Sequence, residues 1–142
     1  MTSLTFALVG LAAQASTMTP PNPDWNCDDP MAQQEMNWCA ERDYVEADAA
    51  LNAQWITIKA VMEARDKELE AYRSTRDSRP GYFESLLKAQ RAWLTYREAH
   101  CRLEGYVARG GSLEPLLVST CKTALTKSRT QDLRDIVEMM GM

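Results

Sequence analysis

The stretch Met31–Tyr72, MAQQEMNWCAERDYVEADAALNAQWITIKAVMEARDKELEAY, decides the fold. It contains neither glycine nor proline, the residues that most readily interrupt a helix. Within it Met36, Ala40, Tyr44, Ala47, Leu51, Trp55, Ile58 and Met62 recur at steps of three and four. That spacing places side chains on one face of an α-helix. The pattern predicts a single amphipathic helix over 31–72, with Asp28 or Asp29 as its N-terminal cap and Pro30 in its first turn. Helices longer than about 25 residues invite comparison with coiled coils. Here the steps alternate only in part and the aromatics are bulky, so a curved helix within a bundle fits better.

Working outward toward the C-terminus, Ser74–Gly81 (STRDSRPG) is small, charged and closed by Pro80-Gly81, a turn signal. A second helix is expected over 82–103, with Phe83, Leu87, Gln90, Leu94, Arg97 and Cys101 on one stripe and Leu86 and Trp93 flanking it. Gly105, Gly110 and Gly111 break the chain. A third helix starts near Leu113–Pro115 and carries Leu117, Cys121, Leu125, Leu133, Ile136, Val137 and Met140 to the end. The periodicity is helical throughout, so the fold class is all-α: a disulfide-stapled antiparallel three-helix bundle with an unusually long first helix.

Toward the N-terminus, Leu4–Ala13 (LTFALVGLAA) is an uncharged apolar run followed by Ala13-Gln14-Ala15. This matches the apolar region and small-residue cleavage site of a secretory signal peptide, although the usual basic residue before it is missing. A run this short cannot span a hydrocarbon core, which needs about 20 residues. Residues 1–15 are therefore expected to be a cleaved leader and the mature chain to start near Ser16. Pro20, Pro21, Pro23 and Pro30 supply four of the six prolines, which makes 16–30 a linker. The helical domain is expected over 31–142, with Cys27 stapled to it. Cys27 follows Asp24-Trp25-Asn26, the wrong neighbours for a lipid-modified cysteine. The expected protein is periplasmic or secreted, without stable membrane insertion.

A mature chain of this size is one domain. The hydrophobic share of 45% against 25% charged residues is ordinary for a globular protein with a real core. A net charge of −4 offers no electrostatic footprint for nucleic acid.

Four cysteines allow three pairings. Cys27 precedes the first helix and Cys39 lies about two turns inside it, so the linker can fold back and bring them into reach. Cys101 ends the second helix and Cys121 opens the third, so the intervening loop can join them. Local pairing is favoured on this architecture. A cross-bridged set is the rival, because these helix ends all meet at one end of the bundle. Each local bridge stabilises by about 3 kcal/mol in the chain-entropy model, a large part of a typical total of about 5–15 kcal/mol. A four-cysteine zinc site is disfavoured: no C-x-x-C spacing occurs, and an exported chain favours oxidation.

The residues Glu35-Met36-Asn37, Cys39-Ala40, Tyr44, Ala47-Asp48 and Leu51-Asn52 are followed by Gln90-x-x-Trp93-x-x-Tyr96-Arg97-x-x-x-Cys101. Then come Gly110-Gly111-Ser112 and Cys121-x-x-x-Leu125-Thr126-x-x-Arg129. This ordered set resembles the LprI-type lysozyme-inhibitor domain over about Cys27–Leu133. The resemblance implies an exported helical domain and a protein partner of the lysozyme class. Some members of that family are lipoproteins, whereas this chain lacks a lipidation cysteine.

Read physically, most of these residues are structural. Asn52, Gln90, Arg97 and Arg129 fall on or beside apolar stripes, where a polar group must find hydrogen bonds. They are expected to satisfy one another, or Glu35 and Asp48, with Asp48 or Glu35 as the carboxylate for Arg97. No catalytic residue, cofactor site or metal site is expected. There is no G-x-S-x-G and no phosphate-binding glycine loop, and His100 stands beside Cys101 without a second ligand, as a surface residue. Trp55, Trp93 and Tyr96 are at core spacing and read as packing residues.

Between Asp28 and Ile58 stand Asp28, Asp29, Glu35, Glu41, Asp43, Glu46 and Asp48 against one base, Arg42, leaving −6 there and +2 elsewhere. Acids near a helix N-terminus complement its dipole and need no ligand. They also suit electrostatic steering of a basic partner, and common lysozymes are basic. Glu41, Asp43 and Glu46, with Tyr106 and Arg109 of the glycine-bounded loop, are the candidate partner-binding residues. The expected function is occlusion of a lysozyme-like muramidase; the alternative is an envelope interaction module with another protein partner.

Overall fold

The computed structural model describes residues 25–72 and 77–141. The expected leader over 1–15 and residues 16–24 of the expected linker lie outside the described residues. Three α-helices account for the architecture: α1 (Gln33–Tyr72), α2 (Tyr82–Gly105) and α3 (Glu114–Gly141). A 3-10 turn, Tyr106–Ala108, joins α2 to α3. No strand occurs among the described residues. At 1.5 Å per residue, the 40 residues of α1 extend about 60 Å.

Contacts far apart in sequence fix the helix directions. Asn37 donates to the Ser112 carbonyl at 3.0 Å, the Ser119 hydroxyl donates to Glu41 at 2.7 Å, and Arg65 donates to the Met140 carbonyl. Thus α1 and α3 run in the same direction and share the largest helix–helix interface. Asp66, near the end of α1, meets the start of α2, while Asp48 meets Arg97 further along it. The middle helix therefore runs antiparallel to both neighbours.

The apolar core is Leu51, Ile58, Met62, Leu86 and Leu133, with Trp55, Val61, Phe83, Trp93, Ile136, Val137 and Met140 packed against it. Each fully buried aliphatic side chain contributes about 1.5–3 kcal/mol. The α1 stripe supplies Ala40, Ala47, Leu51, Ile58 and Met62 as buried residues. On α2 the buried face is Leu86, Gln90, Arg97, Cys101 and Gly105, so Leu94 lies outside it, being 37% exposed.

Three local expectations are corrected. Neither Asp28 nor Asp29 caps α1. Glu35, in its first turn, reaches back, and its carboxylate accepts the N–H groups of Met31 at 2.9 Å and Asn26 at 2.8 Å. An acid inside the first turn can satisfy donors ahead of the helix in this way, which an aspartate held in the Cys27 loop does not. Gly105 does not break the chain but closes α2. It is buried against α3, and a Cβ there would stand 2.5 Å from Val118 Cγ2. The break falls at Gly110, whose φ of +78° suits glycine. Tyr96 is not a packing residue: it is 52% exposed and stacks on His100 with ring centroids 5.0 Å apart.

Candidate functional site

The four cysteines form the two local bridges Cys27–Cys39 and Cys101–Cys121. The first bridge lays residues 25–30 along α1, and Trp25 meets Trp38 edge-on at 5.6 Å. The second bridge ties the end of α2 to the first turns of α3, so the connection between them is closed at its base. Inside it, Gly110 N–H donates to the Glu114 carboxylate at 2.6 Å, and the Ser112 carbonyl accepts from Asn37 of α1. The turn is thus held by a disulfide and by side chains from two helices.

Four large apolar side chains stand in solvent at the stapled turn, while Met31, Val45, Ile56, Tyr96 and Met139 are exposed singly elsewhere. Val107 is 87% exposed, Leu103 65%, Leu113 40% and Tyr106 39%. Arg109 lies over the Tyr106 ring, 4.4 Å from its centroid, a cation–π arrangement that fixes both side chains. Apolar groups gathered at one exposed end mark an interaction surface more than a core does. Tyr106 and Arg109 were readable from the glycine-bounded loop. The sequence does not mark Leu103 and Leu113 in this way, whereas Val107, apolar within a glycine-flanked turn, carries a usable signal.

The acidic candidates share that end but not one role. Glu41 accepts from the buried Ser119 hydroxyl. Arg42 lies between Asp43 at 3.1 Å and Glu46 at 3.7 Å. Asp43 and Glu46 also line a groove with Lys127 and Arg134 of α3. Asp43 and Glu46 therefore stand among basic side chains, and the charge around them is mixed.

The polar residues near the stripes separate into two groups. Arg97, buried between the rings of Tyr44 and Trp93 at 5.2 and 5.0 Å, donates to Asp48 at 2.9 Å and to Thr126 at 3.1 Å. It also contacts Glu98 at 3.1 Å, and Lys122 meets the same carboxylate at 2.6 Å. Burial opposes the Arg97 charge, but Asp48, the neighbouring Tyr44 and Glu98 outweigh it and hold the guanidinium protonated. Asn52 donates to Asp48 at 3.2 Å. This belt joins all three helices above the apolar core. The second group is Arg129, whose Nε donates to Gln90 at 3.0 Å. Glu35 belongs to neither, because its carboxylate is occupied at the start of α1.

Among the described residues, ligand atoms of His100, Glu104 and Cys121 approach within 4.8 Å of one another. Cys121 is bridged to Cys101 and has no thiolate for a metal. His100 instead faces Glu104 at 2.9 Å. No helix among the described residues is long and apolar enough to cross a membrane.

The bridges, the polar belt and the stapled turn all fall inside residues 27–133, the segment that matches the family described as Lysozyme inhibitor LprI. The chain belongs to the LprI family. A relative in Rhizobium meliloti (strain 1021), carrying the description of an uncharacterized protein, is 45% identical over 122 residues, covering 83% of this chain and 81% of its own. No solved structure matches the chain. In this LprI-family chain the two disulfides and the Arg97 belt tie its elements together.

Proposed function

We propose that this chain is an exported inhibitor that binds a lysozyme-like muramidase and occludes its cleft through the 103–113 turn. The observation that carries the reading is the exposed apolar turn with its Tyr106–Arg109 pair, stapled at its base by Cys101–Cys121, in a family described by lysozyme inhibition. Tyrosine and arginine are favoured at the energetic centres of protein interfaces. A turn that is already ordered loses little conformational freedom on docking. Two disulfides suit an oxidising compartment, in keeping with a periplasmic or secreted protein and the leader expected over 1–15. The net charge of −4 favours encounter with a basic enzyme.

The test is lysozyme turbidity clearance of a cell-wall suspension, with the chain from Ser16 added oxidised or reduced, and with Tyr106→Ala and Val107→Asp in the oxidised form. Dose-dependent inhibition by the oxidised chain is expected, weakened about tenfold or more by either substitution at unchanged thermal midpoint. Absence of inhibition against several lysozyme classes would sink the reading and direct the same surface to another envelope protein.

A further inference from the structure

A second site stands at the opposite end of the bundle from the stapled turn. There the last turns of α1 and α3 and the first turns of α2 diverge around a cavity of about 560 Å³, within the range of about 300–1,000 Å³ usual for small-molecule sites. Its deeper walls include Met62, Leu69, Leu86, Ile136 and Met140 with Arg129 among them, and the ion pair Asp77–Arg79 also lines it. The rim holds the smaller Ser85 and Ala89.

Arg129 makes this cavity more than a gap in the packing. Its side chain is only 13% exposed, and its ion pair with Asp132 is a loose one. The Nε atom is used by Gln90 at 3.0 Å, which orients the guanidinium. Asp132 stands 3.8 Å from Nη1 and is itself 57% exposed, too distant for a hydrogen bond. Arg97 supplies the contrast: it too is buried, and Asp48, Glu98 and Thr126 all contact it. Burial depresses the pKa of Arg129, whereas that of Arg97 is raised. A buried cation beside an apolar cavity is electrostatically incomplete, and a planar carboxylate matches the fork of a guanidinium.

We infer that this cavity is a binding site for a single-chain amphiphilic carboxylate of the fatty-acid class. Its head group pairs with the terminal nitrogens of Arg129 and its tail lies along Met62, Leu69, Leu86 and Ile136. The site is separate from the 103–113 turn and does not depend on the inhibitor reading. Apolar walls alone would accept any apolar body, and it is the arginine that selects an anion.

Isothermal titration of the oxidised chain from Ser16 with sodium dodecanoate below its micellar concentration tests this. Dodecanol at matched concentration tests the tail without the charge, and butyrate tests the head group without the tail. Saturable binding of dodecanoate is expected, with dodecanol weaker by about ten- to hundred-fold, the range of one charge-assisted hydrogen bond, and butyrate, which lacks eight methylenes of the tail, weaker by more than about a hundred-fold. Arg129→Met should weaken dodecanoate by the factor that separates it from dodecanol and leave dodecanol unchanged. Ala89→Phe, which fills the rim from an exposed position, should weaken both and keeps the test decisive if Arg129→Met folds poorly. Equal affinity for dodecanol and dodecanoate, indifference to Ala89→Phe, or no saturable dodecanoate binding would each overturn the assignment, leaving the cavity to a neutral apolar body or to the chain itself.

Discussion

Nη1 of Arg97 in α2 lies 2.9 Å from Oδ1 of Asp48 in α1, across 49 residues of sequence. The guanidinium is 6% exposed and the carboxylate 34%, so the charge is buried on one side of the pair and partly hydrated on the other. Two aromatic rings and Thr126 enclose the rest of the guanidinium, which makes the pair a clamp between helices more than a surface contact.

Removing one partner leaves a buried charge with less to hold it. Asp48→Ala should destabilise by about 1–3 kcal/mol, below the value for a wholly buried pair because Asp48 is part-hydrated and Glu98 remains. Asp48→Ala/Arg97→Met should cost less than the sum of the single changes, since no orphaned charge is left. Urea denaturation of the four proteins checks this; additive losses would mean that the pair is not coupled.

The start of α2 is capped from another helix. Asp66 of α1 accepts the N–H groups of Tyr82 at 2.6 Å and Phe83 at 2.9 Å. Gly81 leaves room for it, since a Cβ there would stand 2.7 Å from Asp66 Oδ1. Asp66→Ala should cost about 1 kcal/mol, as cap removals do, and lower the thermal midpoint by about 3–5 °C. Gly81→Ala should act in the same direction by displacing that carboxylate. An unchanged midpoint in both variants would show that the contact contributes nothing.

Acid should loosen both ends of the polar framework. The Glu35 carboxyl is held below its ordinary range by the N–H groups of Met31 and Asn26. For Glu98, burial pulls upward, but Lys122 and Arg97 prevail and its pKa is also lowered. A carboxylate that titrates lower when folded stabilises the protein above its unfolded pKa, and that stability disappears as pH falls through the folded value. Stability should therefore hold from neutrality to about pH 5 and decline from about pH 4 downward. Glu35→Gln and Glu98→Gln should each flatten the decline in urea midpoints measured from pH 7 to 3. A parent-like slope in both would assign the acid loss to other carboxylates.

The Cys101–Cys121 bridge closes a sequence separation of 20 and should contribute about 3 kcal/mol by restricting the unfolded chain. Cys101→Ala/Cys121→Ala should lose about that much stability and raise amide exchange across 103–113 above that in the centre of α1. Retention of both stability and protection would mean that the side-chain ties to Asn37 and Glu114 suffice.

Much of this was legible in order. The α1 stripe from Ala40 to Met62 and the order and approximate extent of the three helices follow from side-chain period and from the placing of glycine and proline, both local properties, whereas the end of α2 at Gly105 does not. The pairing of Cys101 with Cys121 was favoured by the short connection between helices, and that of Cys27 with Cys39 by a linker able to fold back. Tyr96 failed because correct spacing on a stripe does not say how far a neighbouring helix reaches, and Leu94 failed for the same reason.

What the sequence by itself determined is the all-α class, the length of α1 and the set of polar residues that had to be satisfied, because period, breakers and desolvation act on each residue where it stands. Only the tertiary structure decided which partners they found. Asp48 rather than Glu35 meets Arg97, since Glu35 is taken by backbone donors at the start of α1. Asp66 caps a helix sixteen residues away, and Arg129 meets Gln90 and, more loosely, Asp132 beside a largely apolar cavity. These outcomes depend on which helix faces come together in space, and spacing along one chain does not fix the rotation of one helix against another.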